Sequence, residues 1–271
     1  MTLRVLLAVL GLVIAAPAGA QAPRRVITVN LCLDQMALRL AAPGQLVGVS
    51  YLAHDPRISV LAEQARDVPA VRARVESILD RQPDLVIFDR DAHAAVKRLV
   101  RMAGVPILEV PWAASLEESQ SLIRAIARAL GREAEGEALV QGMQERQRAL
   151  VPPEPPDPLA AVLQANRGTA GRGSLYDELL RLAGYRNLAA ELGIRAYGRL
   201  PIEAVLAGRP DLLVLDGGAN RSPARATEFV DHQALASLAG KAKLVSIPLK
   251  YSICAGPENI EVLRRLAEAR R

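Results

Sequence analysis

The chain has 271 residues, of which 51% are hydrophobic, 23% are charged and 3% are aromatic. This composition excludes a disordered chain, a collagen and a small disulfide scaffold, and the length allows one large domain or two lobes. The net charge of +5 comes mostly from scattered arginines. Because no dense basic block with interleaved aromatic residues occurs, we expect no nucleic-acid partner.

The first 20 residues have the three parts of a secretory signal peptide. Arg4 supplies the positive region, residues 5–16 form an apolar run, and the small residues at 18–20 suit a cleavage site, with a second choice at 20–22. The apolar run has about a dozen residues, too few to cross a hydrocarbon core of ~30 Å. We therefore expect export, cleavage of residues 1–20 and a soluble protein in the periplasm.

Strands and helices are predicted to alternate over the next part of the chain. The predicted strands are 26–30, 46–50, 85–88 and 107–110, and the predicted helices are 34–40, 74–81 and 92–103. Alternation with short loops is typical of a parallel sheet with helices on both faces. We assign residues 24–114 to an N-terminal α/β lobe.

The pattern changes at residue 115. Helical spacing covers 116–130, Gly131 interrupts it, and a second helical run covers 133–150. At 1.5 Å per residue the second run is ~27 Å long, and a proline-rich spacer follows at 152–158. We interpret residues 115–158 as the helical linker and spacer between two lobes.

Alternation resumes after the spacer. The predicted strands are 159–164, 212–215 and 244–247, and the predicted helices are 175–183, 202–207 and 258–270. Residues 159–271 are predicted to form a C-terminal α/β lobe. The predicted fold class is therefore α/β, with two lobes that each contain a mainly parallel sheet flanked by helices.

An internal repeat supports the two lobes. An acidic residue that opens a short helix, then a Pro-Asp turn and a buried strand, occurs twice, and Glu76 and Glu203 stand 127 positions apart at the start of the two copies. Two similar lobes leave a cleft between them. The helix dipole alone explains a carboxylate at a helix start; alternatively, the matched pair engages two basic sites on a symmetric partner.

Four aromatic residues are candidates for ligand contact. Tyr51, Trp112 and Tyr251 each follow a predicted strand, and Tyr197 precedes the second acidic helix. Ligands of open α/β sheets bind beyond the carboxyl ends of the strands. These side chains therefore either line a cleft for a large, partly apolar ligand or seal loops against their own lobes.

Three polar side chains are further candidates. Arg90 follows a predicted strand and Arg195 lies near Tyr197, so each either meets an anionic group of a ligand or is a solvated surface charge. His54, next to Asp55 in a loop after a strand, is a candidate ligand contact.

The two cysteines, Cys32 and Cys254, both lie in the predicted mature chain. An exported protein permits a disulfide, so the two residues either form one or remain buried thiols.

The sequence shows no motif for a cofactor or for catalysis. The glycine-rich segment 168–174 lacks the lysine of a nucleotide loop. The three histidines are not at metal-ligand spacing, and no nucleophile motif is found. We therefore expect no cofactor, no metal site and no enzyme activity.

Several short segments, taken in order along the chain, resemble one family. They are 25–28, 47–50, the two units of acidic helix and Pro-Asp turn, 182–184 with 187–188, and the helix start at 256–257. Through them the mature chain resembles the periplasmic substrate-binding proteins of ABC importers for cobalamin and ferric siderophores. The resemblance implies two α/β lobes joined by one long linker helix, with modest closure about a cleft.

The resemblance also implies residue roles. Glu76 and Glu203 fall where one glutamate per lobe docks on arginines of a dimeric permease in the inner membrane, and Tyr51, Tyr197 and Tyr251 fall in cleft-lining segments. Segments 30–35 and 251–254 and residue 89 depart from the family pattern. These departures place both cysteines near the mouth of the cleft and leave a corrinoid, a ferric siderophore, a haem or another apolar molecule open as the ligand.

The expected function is that of a monomeric ligand carrier. It would capture a large ligand of the cobalamin or ferric siderophore type and present it to the permease, with a partner ATPase supplying energy. Three alternatives remain at this point. They are a carrier for a bare metal ion, a periplasmic α/β enzyme that uses His54, Asp55 and the cysteines, and a sensor or scaffold on the same fold.

Overall fold

The structure is a computed structural model of the chain, and it describes residues 21–153, 155–217 and 241–270. The expected signal peptide at 1–20 lies outside the described residues. Within those ranges, no helix combines the length and apolarity that a membrane crossing requires.

The N-terminal lobe contains a five-stranded parallel sheet in the order β3-β2-β1-β4-β5. The strands are β1 (Val26–Thr28), β2 (Leu46–Ser50), β3 (Ala70–Val71), β4 (Leu85–Asp89) and β5 (Ile107–Val110). The helices between them along the chain are α1 (Leu31–Leu40), α2 (Ala62–Ala65), α3 (Val75–Leu79) and α4 (Ala94–Met102). Strand β4 is buried on both faces at its centre, as its apolar run predicts for an internal parallel strand.

The C-terminal lobe contains a four-stranded parallel sheet in the order β11-β10-β6-β8, with a separate antiparallel pair β7-β9. The strands are β6 (Leu159–Leu163), β7 (Gly168–Ala170), β8 (Arg186–Asn187), β9 (Tyr197–Arg199), β10 (Leu212–Asp216) and β11 (Lys243–Ile247). The helices are α7 (Leu175–Leu182), α8 (Leu188–Glu191), α9 (Ile202–Gly208) and α10 (Asn259–Arg270).

Two helices lie between the sheets of the two lobes along the chain. Helix α5 (Leu116–Leu130) ends at Gly131, whose left-handed backbone (φ 71°) suits a residue without a side chain. Helix α6 (Glu133–Leu150) then turns back along α5 and also packs on α10 of the C-terminal lobe. Because α5 packs on α1, it extends the N-terminal lobe, and α6 is the long connecting helix.

The internal repeat has a structural reason. Asp84 accepts hydrogen bonds from the backbone N–H groups of Arg24 and Arg25, just before β1, at 2.7 and 2.8 Å. Asp211 accepts one from the N–H of Leu159, at the start of β6, at 2.7 Å. In each lobe the aspartate of the Pro-Asp turn therefore fixes the start of the neighbouring central strand. The predicted α/β fold class with two lobes is confirmed.

Several element boundaries differ from the predicted ones. The strand predicted at 26–30 ends at Thr28, because the Asn30 side chain accepts a hydrogen bond from the N–H of Cys32 and caps α1. The sequence analysis missed the short elements β3, α2, β8 and α8 and the β7-β9 pair, whose few residues carry too weak a periodic signal.

Candidate functional site

A small cavity lies between the lobes at the carboxyl ends of the N-terminal strands. Its walls include Asn30 after β1, Asp89 at the end of β4, Trp112 after β5, and Ala255 from the C-terminal lobe. Its volume is about 20 Å³, which suits a water molecule rather than a large ligand.

Three of the predicted aromatic residues are exposed. Tyr51, Trp112 and Tyr197 expose 50%, 49% and 57% of their surface, and the guanidinium carbon of Arg72 lies 4.8 Å from the ring centroid of Tyr51. Trp112 is the only tryptophan in the chain and lines the cavity at the cleft floor. Exposed aromatic faces of this kind are suited to binding an apolar, planar surface.

Tyr251 lies in a different place from the other aromatic candidates. It lines a second groove of about 620 Å³ between α1, α6 and the start of α10. Lys250 and Arg265 place their charged groups 5.3 and 5.5 Å from its ring centroid. The chain turns through a short 3₁₀ segment at Leu249–Tyr251, which directs this side chain toward the linker helix instead of the cleft-floor cavity.

Arg90 is exposed at the end of β4, where its backbone N–H donates to the carbonyl of Val110 on β5. The loop is held from below by Lys97, which is 5% exposed. The Lys97 ammonium donates to the carbonyl of Arg90 at 2.5 Å and to the carboxylate of Glu109 at 2.7 Å. A buried ammonium satisfied in this way fixes the loop that presents Arg90 to the cleft.

Tyr197 belongs to the antiparallel β7-β9 pair of the C-terminal lobe, where it stands opposite Ala170. Arg195 is exposed just before β9 and forms an isolated parallel bridge with Arg172. The two segments approach so closely at Gly171 that a Cβ there would lie 2.2 Å from the Ile194 carbonyl oxygen. This contact fixes the strand that carries Tyr197.

His54 faces the interior of its lobe. Its Nε2 lies 3.0 Å from the carbonyl oxygen of Val68, to which it donates when that nitrogen carries the proton. Its Nδ1 is buried and has no hydrogen-bond partner among the described residues. This contact turns His54 away from a direct ligand role.

Asp34 is a buried carboxylate that the sequence analysis missed. It accepts hydrogen bonds from the Thr28 hydroxyl at 2.5 Å, from the Ser50 N–H at 3.1 Å and from the Ser50 hydroxyl. Burial raises the pKa of Asp34 to about 6, although the bonds from Ser50 and Thr28 act in the opposite direction. Asp34 thereby joins α1 to the ends of β1 and β2, directly before Tyr51. The only acidic residue in the mostly apolar segment 31–40 was the available signal.

Asp216 plays a similar part in the C-terminal lobe. It accepts hydrogen bonds from the hydroxyls of Tyr176 and Ser252 at 2.9 and 2.5 Å and from the Gln164 amide at 2.8 Å. Burial, and then the charge of Asp216, raise the pKa of Tyr197. Asp216 therefore lies near Tyr197, the aromatic candidate of the C-terminal lobe.

A covalent seam joins the lobes below the cleft. Cys32 on α1 and Cys254 before α10 form a disulfide with a Cα–Cα distance of 5.3 Å. On the same face of α1, the Gln35 amide and the Arg39 guanidinium donate to the Glu258 carboxylate at 3.3 and 3.0 Å. We call these five residues the interlobe seam.

Glu76 and Glu203 lie at equivalent places in the two lobes. Each is exposed in the first turn of its short helix, α3 or α9. Among the described residues, neither carboxylate has an ion-pair partner. Both are therefore accessible to a partner protein.

The described ranges, 21–153, 155–217 and 241–270, contain no group of three or more His, Cys, Asp or Glu side chains arranged to hold a metal ion.

The chain belongs to the periplasmic binding protein family, which it matches over residues 26–245. A cobalamin-binding protein of Halobacterium salinarum is 23% identical over 256 residues, covering 91% of this chain and 69% of that protein. An uncharacterized ABC transporter substrate-binding lipoprotein of Bacillus subtilis, YvrC, is 22% identical over 258 residues, covering 91% and 80%. The structure of the periplasmic heme-binding protein RhuT from Roseiflexus sp. RS-1 in apo form has a TM-score of 0.71 at 24% identity, covering 92% of this chain and 99% of that one.

These similarities confirm the family that the sequence resembles, and the class is that of a solute-binding protein. The likeness to RhuT concerns the fold, because the identity is low.

Proposed function

We propose that this protein captures a large ligand of the cobalamin, ferric siderophore or haem type in the cleft between its lobes and delivers it to a dimeric ABC permease. The observation that carries the proposal is the exposure of Tyr51, Trp112 and Tyr197 in a chain with 3% aromatic residues. Exposing large aromatic faces to water is unfavourable, so three such side chains in a chain with few aromatic residues favour a binding role. The relative described as cobalamin-binding supports this class of ligand, and the relative described as an ABC transporter substrate-binding lipoprotein supports a role in import.

The ligand would contact both lobes above the small floor cavity. Trp112 and Tyr51 would contribute from the N-terminal lobe and Tyr197 from the C-terminal lobe. Arg90 and Arg195, which make no ion pair among the described residues, would meet anionic groups of the ligand. His54 would act indirectly, through the loop that carries Tyr51, and Tyr251 would contribute little.

Docking on the permease would use the exposed carboxylates of Glu76 and Glu203. Each stands one helix before the Pro-Asp turn of its lobe, so the two lobes present equivalent charges to a partner with two equivalent subunits. Charges of this kind mainly set orientation and the rate of association. The protein would act as a monomer in the periplasm after removal of residues 1–20.

The side chains that the enzyme alternative would use are engaged in other contacts. The His54 ring is engaged with a backbone carbonyl, the Asp55 carboxylate forms an ion pair with Arg57 at 2.6 Å, and both cysteines are in a disulfide. A nucleophile and a base are therefore not presented together by these residues.

The proposal is tested by titrating purified protein with cyanocobalamin, haemin and ferrichrome while the fluorescence of Trp112 is recorded. Because Trp112 is the only tryptophan, its quenching reports binding at the cleft. We expect saturable 1:1 quenching by one probe, a higher melting temperature, and recovery of the ligand unchanged.

A pair of variants locates the site. Tyr197→Ala should weaken binding about tenfold, because an aromatic contact of about 1.4 kcal/mol is lost. Met102→Ala, which removes an exposed side chain of α4, is the matched control and should bind as the wild type does. Failure of all three probes to quench Trp112, or chemical conversion of the bound probe, would contradict the proposal.

A further inference from the structure

We propose that the Cys32–Cys254 disulfide is a redox-reversible covalent link that holds the two lobes at a fixed spacing. A dithiol reductant would break this bond by attack on Cys32. This inference concerns the control of lobe spacing and does not depend on the identity of the ligand.

The first support is the position of the bond. Cys32 is the second residue of α1 in the N-terminal lobe. Cys254 lies 222 residues later, before α10 in the C-terminal lobe. The bond spans the two lobes beside the cleft-floor cavity, which Cys32 and Ala255 both line. A covalent link at this point holds the floor of the cleft at one width.

The second support is the rest of the interlobe seam. Cys32, Gln35 and Arg39 are spaced so that they share one face of α1. Gln35 and Arg39 both contact Glu258, whose side chain is 2% exposed. The non-covalent contacts of the seam, together with an apolar core that includes residues of both lobes such as Met36 and Leu263, would keep the lobes together after reduction, but they constrain the spacing less than a covalent bond does. Reduction should therefore loosen the lobes without unfolding them.

The third support is the unequal access to the two sulfur-bearing residues. Cys254 is 1% exposed, whereas Cys32 is only partly buried and lines the cavity. Because Cys32 is the less buried of the two residues, the thiolate of the reductant attacks Cys32, and the S–S bond breaks with Cys254 as the leaving thiolate, which takes up a proton. The second thiol of the reductant then displaces Cys32, so the reductant becomes a disulfide and the protein gains two thiols.

The distance between the lobes is measured on the full chain by double electron–electron resonance between two nitroxide labels. A keto-bearing amino acid replaces Met102 on α4 and Leu192 after α8, which expose 76% and 52% of their surface, and each is coupled to a nitroxide. We expect the distance distribution to broaden at least twofold when the phosphine reductant TCEP is added. The double variant Cys32→Ser and Cys254→Ser should show the broad distribution with or without the reductant.

Two results would overturn the proposal. The first is an unchanged distance distribution in reduced protein, and the second is loss of far-ultraviolet circular dichroism on reduction, since the bond would then be needed for folding. The direction of attack is tested by exposure to glutathione and trapping with N-ethylmaleimide. We expect glutathione on Cys32 and maleimide on Cys254 by peptide mass mapping, and the reverse labelling would contradict cleft-side attack.

Discussion

Asp34 should make the stability of this protein fall as the pH rises. Its carboxyl group has a pKa of 3.8 when free and about 6 in the folded protein. Between these values the folded state holds a proton that the unfolded state has lost, so the free energy of unfolding decreases as that proton is removed. The contribution is greatest below pH 4 and is lost above pH 6.

The expected size follows from the two pKa values. At 1.36 kcal/mol for each pH unit, a pKa raised from 3.8 to about 6 corresponds to about 3 kcal/mol between pH 3.5 and pH 7.5. Asp34→Asn removes the titrating group and keeps its shape, and its amide still pairs with the hydroxyls of Thr28 and Ser50. The variant should therefore lack this part of the pH dependence, whatever its stability at a single pH.

The assay is unfolding by urea at several pH values, followed by Trp112 fluorescence and by circular dichroism. The difference between wild type and Asp34→Asn isolates Asp34, because Glu258, whose pKa burial also raises, is present in both. The reasoning is refuted if the two pH profiles are parallel, or if the wild type gains stability relative to the variant as the pH rises.

Three further predictions follow from contacts around the cleft. Lys97→Met should lower the free energy of unfolding by about 2 kcal/mol, and it should weaken binding of an anionic ligand because the loop that carries Arg90 loses its support. Lys97→Arg, which keeps the charge and the donors, should lose less stability. Equal losses of stability for the two variants in urea unfolding would contradict the hydrogen-bond argument. Gly171→Ala should destabilise by about 2 kcal/mol, because its Cβ would meet a carbonyl oxygen at 2.2 Å, and it should lose more ligand affinity than Gly142→Ala on α6, where an added Cβ has room and the backbone φ is not positive; calorimetry and titration compare the two. Reversal of Glu76 and Glu203 to Lys should abolish stimulation of the permease ATPase and leave ligand affinity unchanged, and unchanged stimulation would remove the docking proposal.

Much of the architecture could be predicted from buried apolar runs. The segments around β4, β6 and β10 are apolar along their length, so their period and their turn residues predicted central parallel strands. The repeat was visible because Pro-Asp turns recur at a constant offset. Its reason is that Asp84 and Asp211 accept hydrogen bonds from backbone N–H groups at the start of neighbouring strands, and these groups lie more than 50 positions away in the sequence.

The direction of individual side chains could not be predicted in the same way. Tyr251 and Trp112 both follow strands, yet a short 3₁₀ turn directs Tyr251 into the groove beside α6. The β7-β9 pair depends on long-range pairing of three-residue strands, so local propensity carries little information about it. The burial of Asp34 depends on hydroxyls from two strands that meet only in the fold.

Native mass spectrometry of the protein purified from its native cells tests the central claim most directly. The account predicts one small molecule bound per chain, retained by Met102→Ala and lost from the double variant Trp112→Ala and Tyr197→Ala. A wild-type protein that carries no small molecule, or a double variant that retains it fully, would contradict the account.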